Sequence, residues 1–493
     1  MYHPDLETLK EAARGYDIVP VAKDIFADVR TPIAVMRALK KVSSCCFLLE
    51  SARQGEKWGR YSFLGYDPKM LVACKDHVMT VKDGVSRQYP TDDPAGEIRK
   101  VLSQYRSPRL PGMPTFTGGL VGYFAFESVK YAEPRLDLLP KKETPFNDVD
   151  LMLFDKVIAF DHLAQKIVLI VNIRTDDLER NYYKALRELD DLASLVAEGE
   201  AADIPGGKLL SDFQGEFTPE EFEQVVRKTQ HYIKEGDIFQ AVPSNCLSAD
   251  FEGSLFNAYR VLRIMNPSPY MFYFSGRDIE LTGASPETLT RLQDGVITTF
   301  PIAGTNPRGK TPEEDKALEE ELLHDEKELA EHDMLVDLGR NDVGRIAQIG
   351  SVSVEHLHKI ERFSHVMHIT TEVTGRIRKD KDALDAIAAM LPAGTLSGAP
   401  KIRAIEILHE LEKSPRAMYG GAIGYIDFTG NMDVCIGIRM AAAAKGKVYV
   451  RSGAGIVKDS QPEKEYYETV NKAKSMMEAI RKGEEDKGYD IAH

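Results

Sequence analysis

The sequence predicts a mixed α/β fold, on two observations. Short apolar runs bounded by turn residues recur through about the first 195 residues. Cys45–Leu49, Leu71–Cys74, Leu151–Phe154 and Ile167–Val171 are the clearest, and such runs read as strands. Helical periodicity marks other stretches, beginning with 178–198, and beyond about residue 215 long charged helices alternate with glycine-punctuated strands. Between the two textures lies AEGEAADIPGGKL, small, polar and carrying Pro205, Gly206 and Gly207. The organisation read from this is an N-terminal region 1–200, a linker 201–214 and a C-terminal region 215–493. A length of 493 residues corresponds to about three domains of ordinary size.

Composition excludes several classes. With 43% hydrophobic and 28% charged residues the chain is ordinary globular material, neither disordered nor collagenous. The net charge of −14 argues against nucleic acid as a partner, because a polyanion binder needs a basic face. No run of about 18 apolar residues exists to cross a membrane, and MYHPDLETLK lacks the apolar stretch of a signal peptide. Five cysteines, two of them adjacent at Cys45–Cys46, make no disulfide framework. The expectation is a cytoplasmic enzyme.

Three further patterns carry chemistry or its appearance. Gly118–Phe126 and Gly420–Phe428 share a G-G-x-x-G-Y-x-x-F pattern, in which strand glycines permit close backbone approach; two similar strands without functional symmetry would suffice to explain it. Residues 304–311, Gly-Thr-Asn-Pro-Arg-Gly-Lys-Thr, match the phosphate-loop pattern, and Leu151–Asp155 could pass for its acidic partner strand. Pro307 has no N–H to offer a phosphate, however, and Thr311 precedes Pro312, which disfavours the helical conformation a phosphate-loop threonine needs. An ATPase is therefore kept only as an alternative.

The third pattern is a pair of glutamate pairs. Pro312–Leu338 reads as one helix with Leu318, Leu322, Leu329 and Val336 on one stripe, and Glu328 and Glu331, at i and i+3, on a second stripe continued by Leu335. The last helix reads from a Ser460–Glu463 capping box with Pro462, a core stripe of Tyr466, Val470, Ala473, Met477 and Ile480, and a flanking stripe of Glu465, Glu468 and Lys472. Such pairs are usually solvated faces. If the two sets met, four carboxylates without cysteine would suit Mg²⁺. A di-iron bundle would want two E-x-x-H pairs, and only Glu321-x-x-His324 is present.

PIAGTNPRG, ELAEHDMLVDLGRND, GTLSGAPKIRA, YGGAIGY, CIGIR, SGAGIV and PEKEYYETVNKA follow one another from residue 301 to 473. In this series the chain resembles the chorismate-utilising enzymes, in particular the anthranilate synthase component I family, over nearly its whole length. The resemblance implies an α/β (α+β) sandwich around two large antiparallel sheets flanked by helices, with the active site between the sheets. It implies Mg²⁺ on Glu331 and Glu468, with Glu328 and Glu465 supporting through water. It places Arg439 and Tyr419 on the enolpyruvyl group of chorismate, and Lys472 by the ring carboxylate. The backbones of Gly304–Thr305 and of Gly453, Ala454 and Gly455 are the implied amide donors. Glu287 in GASPE is the implied general acid, His368 stands near the departing hydroxyl, and Thr395 lines the pocket. Without the resemblance, Glu287 would read as a surface or capping acid and His368, in VMHIT, as a core histidine. A protonated Glu287 makes sense because hydroxide leaves poorly, and a bidentate arginine suits a carboxylate better than lysine does.

Two positions select among relatives. Gln240, in Asp237-Ile238-Phe239-Gln240, stands where water-adding relatives carry an activating lysine, and Ala303 stands where aminodeoxychorismate synthases carry the lysine that attacks the ring. Both favour ammonia as the nucleophile; Asn306, where arginine is common, is a departure in the loop. LLES, RYSFLGYDP and NPSPYMF resemble the family's tryptophan segments, implying an inhibitory L-tryptophan site at Glu50, Ser51, Pro269, Tyr270 and Met271, with Glu50 on the ligand's ammonium and Tyr425 as a link to the active site. No cysteine has the small-residue turn of a glutaminase, so ammonia should come from a separate glutamine amidotransferase subunit in a hetero-oligomer. A tryptophan-binding regulator without turnover is the other alternative.

Overall fold

The structure is a computed structural model and describes residues 2–51, 59–139, 141–362 and 366–485. Among these residues two large antiparallel sheets dominate, one of 13 strands and one of 12. The first runs, in spatial order, from Tyr2–His3 through Ile18–Phe26, Lys166–Arg174, Lys156–Asp161, Tyr61–Tyr66, Cys46–Glu50, Tyr270–Ser275, Ile279–Ser285, Met440–Ala444, Lys447–Gly453 and Ser244–Glu252 to Lys208–Leu209. The second runs from Ile302–Pro307 through Val366–Arg376, Val296–Thr299, Thr288–Gln293, Met432–Ile436, Ala422–Asp427, Gly119–Phe124, Val149–Phe154, Met70–Lys75 and Val78–Lys82 to Ser86–Pro90. Strands from before and after 201–214 pair in both sheets: Cys46–Glu50 with Tyr270–Ser275, and Gly119–Phe124 with Ala422–Asp427.

The sheets face each other across an aromatic core. Phe47 from the first meets Phe154 from the second at 4.7 Å between ring centres, edge to face. Helices cover the outer faces. Leu178–Glu198 buries Tyr182, Ala185, Leu189, Leu192 and Val196, a 3.6-residue stripe over the range read from sequence. In the strand Lys166–Arg174, Val168 and Ile170 face the inter-sheet core while Ile167, Leu169 and Val171 face the helices. A strand covered on both sides reads as a continuous apolar run, which is why KIVLIV does not alternate.

The two G-G-x-x-G-Y segments are antiparallel neighbours, with Gly122 directly opposite Gly424. A Cβ at Gly122 would lie 2.1 Å from the Asp150 carbonyl, and one at Gly424 2.1 Å from the Asp433 carbonyl. The repeat therefore marks close packing at the centre of a sheet.

Two helix boundaries differ from expectation. Pro312–Leu338 is two helices, Pro312–His324 and Glu326–Gly344, because Asp325 leaves the helical conformation and its side chain caps the Lys327 and Glu328 N–H groups. The last helix, Pro462–Glu485, starts after Ser460, whose hydroxyl accepts the Val457 N–H instead of capping the helix. No helix among the described residues is long and apolar enough to cross a membrane.

Candidate active site

A cavity of about 670 Å³ opens between the ends of the two sheets and the helices Glu326–Gly344 and Pro462–Glu485. Its wall brings together Gln240, Glu287, Gly304, Thr305, Glu328, Glu331, Thr395, Tyr419, Arg439, Gly453, Gly455, Glu465, Glu468 and Lys472. These residues span 233 positions of sequence, from Gln240 to Lys472, and only the sheet pairing unites them. Gln240 is delivered by a capped helix, Pro219–Glu235, with a reciprocal Thr218–Glu221 box; it ends at Gly236 with φ +86°, and the turn pairs Gln240 with Ala399.

Glu287 follows the strand Ile279–Ser285. Loss of water around its carboxyl raises its pKa from 4.5 to about 7, against a hydrogen bond donated by Thr395 Oγ1 to Oε1 at 3.0 Å that works the other way. The raised pKa favours the protonated form near neutral pH, and the Thr395 bond leaves Oε2 free to hold the proton. This is the state a general acid needs.

The four glutamates come from two facing helices. Burial first, then the charges of Glu328 and Glu468, raise the pKa of Glu331; burial and Glu468 raise that of Glu465. Like charges from both helices therefore meet in one space. Lys472 Nζ lies 2.5 Å from Glu468 and donates to the Gly453 carbonyl at 3.1 Å. The donor set, all carboxylate oxygen with neither sulfur nor imidazole, fits a hard divalent cation such as Mg²⁺. The arrangement is open: among the described residues, three or more donor atoms within 4.8 Å of one another occur only at surface residues Glu355 and His356 with Glu372. One or two carboxylates with water and substrate is the usual Mg²⁺ shell, and an open set suits it.

Arg439 sits in the left-handed region at φ +51°, a conformation that costs a non-glycine residue about 1–3 kcal/mol. Its Nη1 donates to the Lys472 carbonyl at 2.8 Å, and burial lowers its pKa. Among the described residues no carboxylate lies within ion-pair distance of it. A cation held in a strained, partly desolvated position without a counter-ion is prepared for an anionic ligand. Beside it the Tyr419 hydroxyl is pushed up to about 12 by burial and remains a donor. The Ala454 N–H is taken by the Pro243 carbonyl, so this member of the Gly453–Gly455 set makes a structural bond. His368 is absent from the cavity wall and stands one layer back, its Nδ1 at 2.9 Å from Thr305 Oγ1 and 3.2 Å from the Gly304 carbonyl. A carbonyl only accepts, so Nδ1 carries the proton, and burial keeps the ring neutral.

The apparent phosphate loop is no cradle. Ile302–Pro307 is a strand, and Thr311 is the extended N-cap of the next helix, its hydroxyl taken by the Glu314 N–H. Asn306 turns its amide to the Leu318 carbonyl at 3.0 Å, tying the loop to that helix. Sequence reasoning passed over Lys327, Arg451 and Lys464, which also line the cavity. Their adjacency to Glu328, SGAG and Glu465 was the available signal.

A second cavity, of about 580 Å³, holds Glu50, Ser51, Pro269, Tyr270 and Met271 together with Tyr425, Arg291 and Asp433. Glu50 is not a free carboxylate there. It pairs with Arg263 Nε at 2.8 Å and accepts from Tyr259 at 2.6 Å.

Comparison with known proteins agrees with this geometry. The chorismate binding enzyme family matches residues 44–478. Anthranilate synthase component 1 of Acetivibrio thermocellus is 44% identical over 98% of this chain and 100% of its own length, and that of Aquifex aeolicus 44% over 97% and 98%. The solved anthranilate synthase component I of Streptococcus pneumoniae superposes with a TM-score of 0.74 at 36% identity, covering 92% of this chain and 98% of that one. The menaquinone-specific isochorismate synthase of Escherichia coli shares the fold, with a TM-score of 0.69 at 17% identity. A match of this extent and identity, with the motif residues gathered on one cavity, means that the chain belongs to the chorismate binding enzyme family, among the anthranilate synthase component 1 proteins.

Proposed function

We propose that the chain is the large subunit of an anthranilate synthase, which aminates chorismate with ammonia and eliminates pyruvate, the first step of tryptophan biosynthesis. The observation that carries this reading is the meeting, in one cavity, of a carboxyl with a pKa of about 7 (Glu287), a cation without a carboxylate partner (Arg439) and two facing glutamate pairs. Arg439 and Tyr419 hold the enolpyruvyl carboxylate and Lys472 the ring carboxylate. Glu287 gives its proton to the C4 hydroxyl oxygen as the C–O bond breaks, with Thr395 fixing the donor's orientation. Gln240 orients neutral ammonia towards C2; a carboxamide cannot deprotonate water, and Ala303 offers no nucleophile for a covalent step. His368, with Nδ1 committed to Gly304, fixes the turn that lines the leaving-group side. Glu331 and Glu468 are the residues that would hold Mg²⁺, with Glu328 and Glu465 supporting it; bound there, the ion would supply positive charge to offset the dianionic substrate in a chain of net charge −14. The purified chain with chorismate, Mg²⁺ and ammonium is expected to yield anthranilate and pyruvate in equal amounts; chorismate loss without anthranilate fluorescence would contradict it.

The nitrogen donor is a glutamine amidotransferase subunit. All five cysteines are buried and free, and burial raises every one of their pKa values, Cys46 to about 12, so none offers the thiolate a glutaminase needs. Tryptophan inhibits through the second cavity, where its ammonium joins the existing Glu50–Arg263 pair. Ser51→Phe adds bulk to that cavity. It should raise the tryptophan concentration for half-inhibition by on the order of tenfold, about 1.4 kcal/mol of binding, and leave the uninhibited rate as it was. Equal inhibition of both proteins would place the tryptophan site elsewhere.

A further inference from the structure

Several costs are concentrated directly behind Glu331. The next residue, His332, is fully buried, and its Nδ1 has no hydrogen-bond partner. A buried polar atom left unpaired loses its hydration without replacement, a cost that a leucine in that position would not incur. The ring's one hydrogen bond joins Nε2 to the Thr371 hydroxyl at 2.6 Å. Thr371 lies on the strand Val366–Arg376, three residues beyond His368.

The neighbouring strand, Ser353–Arg362, is bulged at this point. Glu355 pairs with Glu372 and Lys359 with Thr370, so three residues, 356–358, stand opposite Thr371 alone. Two of them, His356 and His358, have φ of +52° and +58°. The bulge brings the His358 N–H to the Thr371 hydroxyl at 3.2 Å and its Nε2 to Asp333 at 2.7 Å. Strained backbone persists only where its surroundings enforce it, and it clusters at functional sites. Here the orphaned ring nitrogen and the strained bulge serve the same helical turn, the one that aims Glu331 into the cavity.

We infer that His332 and Thr371 are positioning residues that fix the Glu331 turn against the sheet and thereby set the geometry of the Mg²⁺ ligands. This rests on the metal reading above. The ordinary alternative is a packing contact, which would affect stability alone.

The test measures Mg²⁺ affinity by titration calorimetry on the chain without chorismate, and the Mg²⁺ concentration for half-maximal anthranilate formation. Thr371→Val and His332→Leu remove the bond; Thr371→Ser and His332→Gln retain it. Loss of a group that orients a metal ligand typically weakens affinity by about 10–100-fold, and at least tenfold is expected from the first pair, with the second pair near wild type. The chorismate KM at saturating Mg²⁺ should not move. Glu331→Gln, run alongside, separates the two claims. If it weakens Mg²⁺ binding while Thr371→Val only lowers the melting temperature, the positioning role is wrong and the metal site stands. If Glu331→Gln binds Mg²⁺ like wild type, both fall. Thr371→Val, the smaller change, gives the answer should His332→Leu fail to fold.

Discussion

Glu287→Gln should lower kcat by roughly 10²–10⁴-fold, the usual contribution of a positioned general acid, with little change in chorismate KM. Glutamine keeps the shape and the Thr395 contact but cannot give up a proton to the departing hydroxyl. In the wild type, a carboxyl with a pKa of about 7 makes kcat/KM for chorismate fall about tenfold per unit above pH 7, provided free ammonia is held constant. The same shift bears on stability. The pKa of the folded state lies above the ordinary 4.5, so the folded state binds the proton more tightly and loses stability as pH rises from about 4.5 to about 7. The deficit above pH 7 is at most about 3 kcal/mol. Glu287→Gln removes the ionisation, so its stability relative to wild type should be greater at pH 8 than at pH 5. Denaturant unfolding at the two pH values measures this; a constant difference would mean the carboxyl is not desolvated.

The second large effect belongs to Glu468→Gln. Turnover should collapse at millimolar Mg²⁺ and recover only in part at much higher concentrations. The cost to folding should be small, because the side chain is 45% exposed and its contact with Lys472 is an i,i+4 helix pair worth about 0.3–0.5 kcal/mol. A large catalytic loss with an unchanged melting temperature separates a ligand from a structural residue. Normal activity at low Mg²⁺ would return both glutamate pairs to the role of solvated helix faces.

What the sequence made legible follows from how far each signal reaches. The helix 178–198 was found because its stripe is local and long. The glutamate pairs were found by i,i+3 spacing, but their confrontation was not, since 137 residues separate Glu331 from Glu468. Strand partners are equally distant: nothing near Cys46–Glu50 announces Tyr270–Ser275. The resemblance supplied that architecture where periodicity could not. The misses are those of side-chain detail. Asp325 interrupts a helix because a carboxylate three residues before Glu328 caps better than it continues. The Ala454 amide turns to Pro243, and Glu50 is already paired with Arg263, because each finds a partner remote in sequence. His332 could have been noticed as a histidine inside ELAEHDML, but only the bulge opposite Thr371 shows what it holds.

The central claim is that this cavity joins ammonia, and neither water nor glutamine, to chorismate. The direct measurement is product analysis with the purified chain, chorismate and Mg²⁺, given no nitrogen source, glutamine or ammonium salts across a pH series. The account predicts no product without nitrogen and none from glutamine alone. With ammonium it predicts anthranilate, at a rate that follows free ammonia up to the pH where Glu287 loses its proton. Isochorismate formed without ammonium, or anthranilate formed from glutamine by the chain alone, would contradict it.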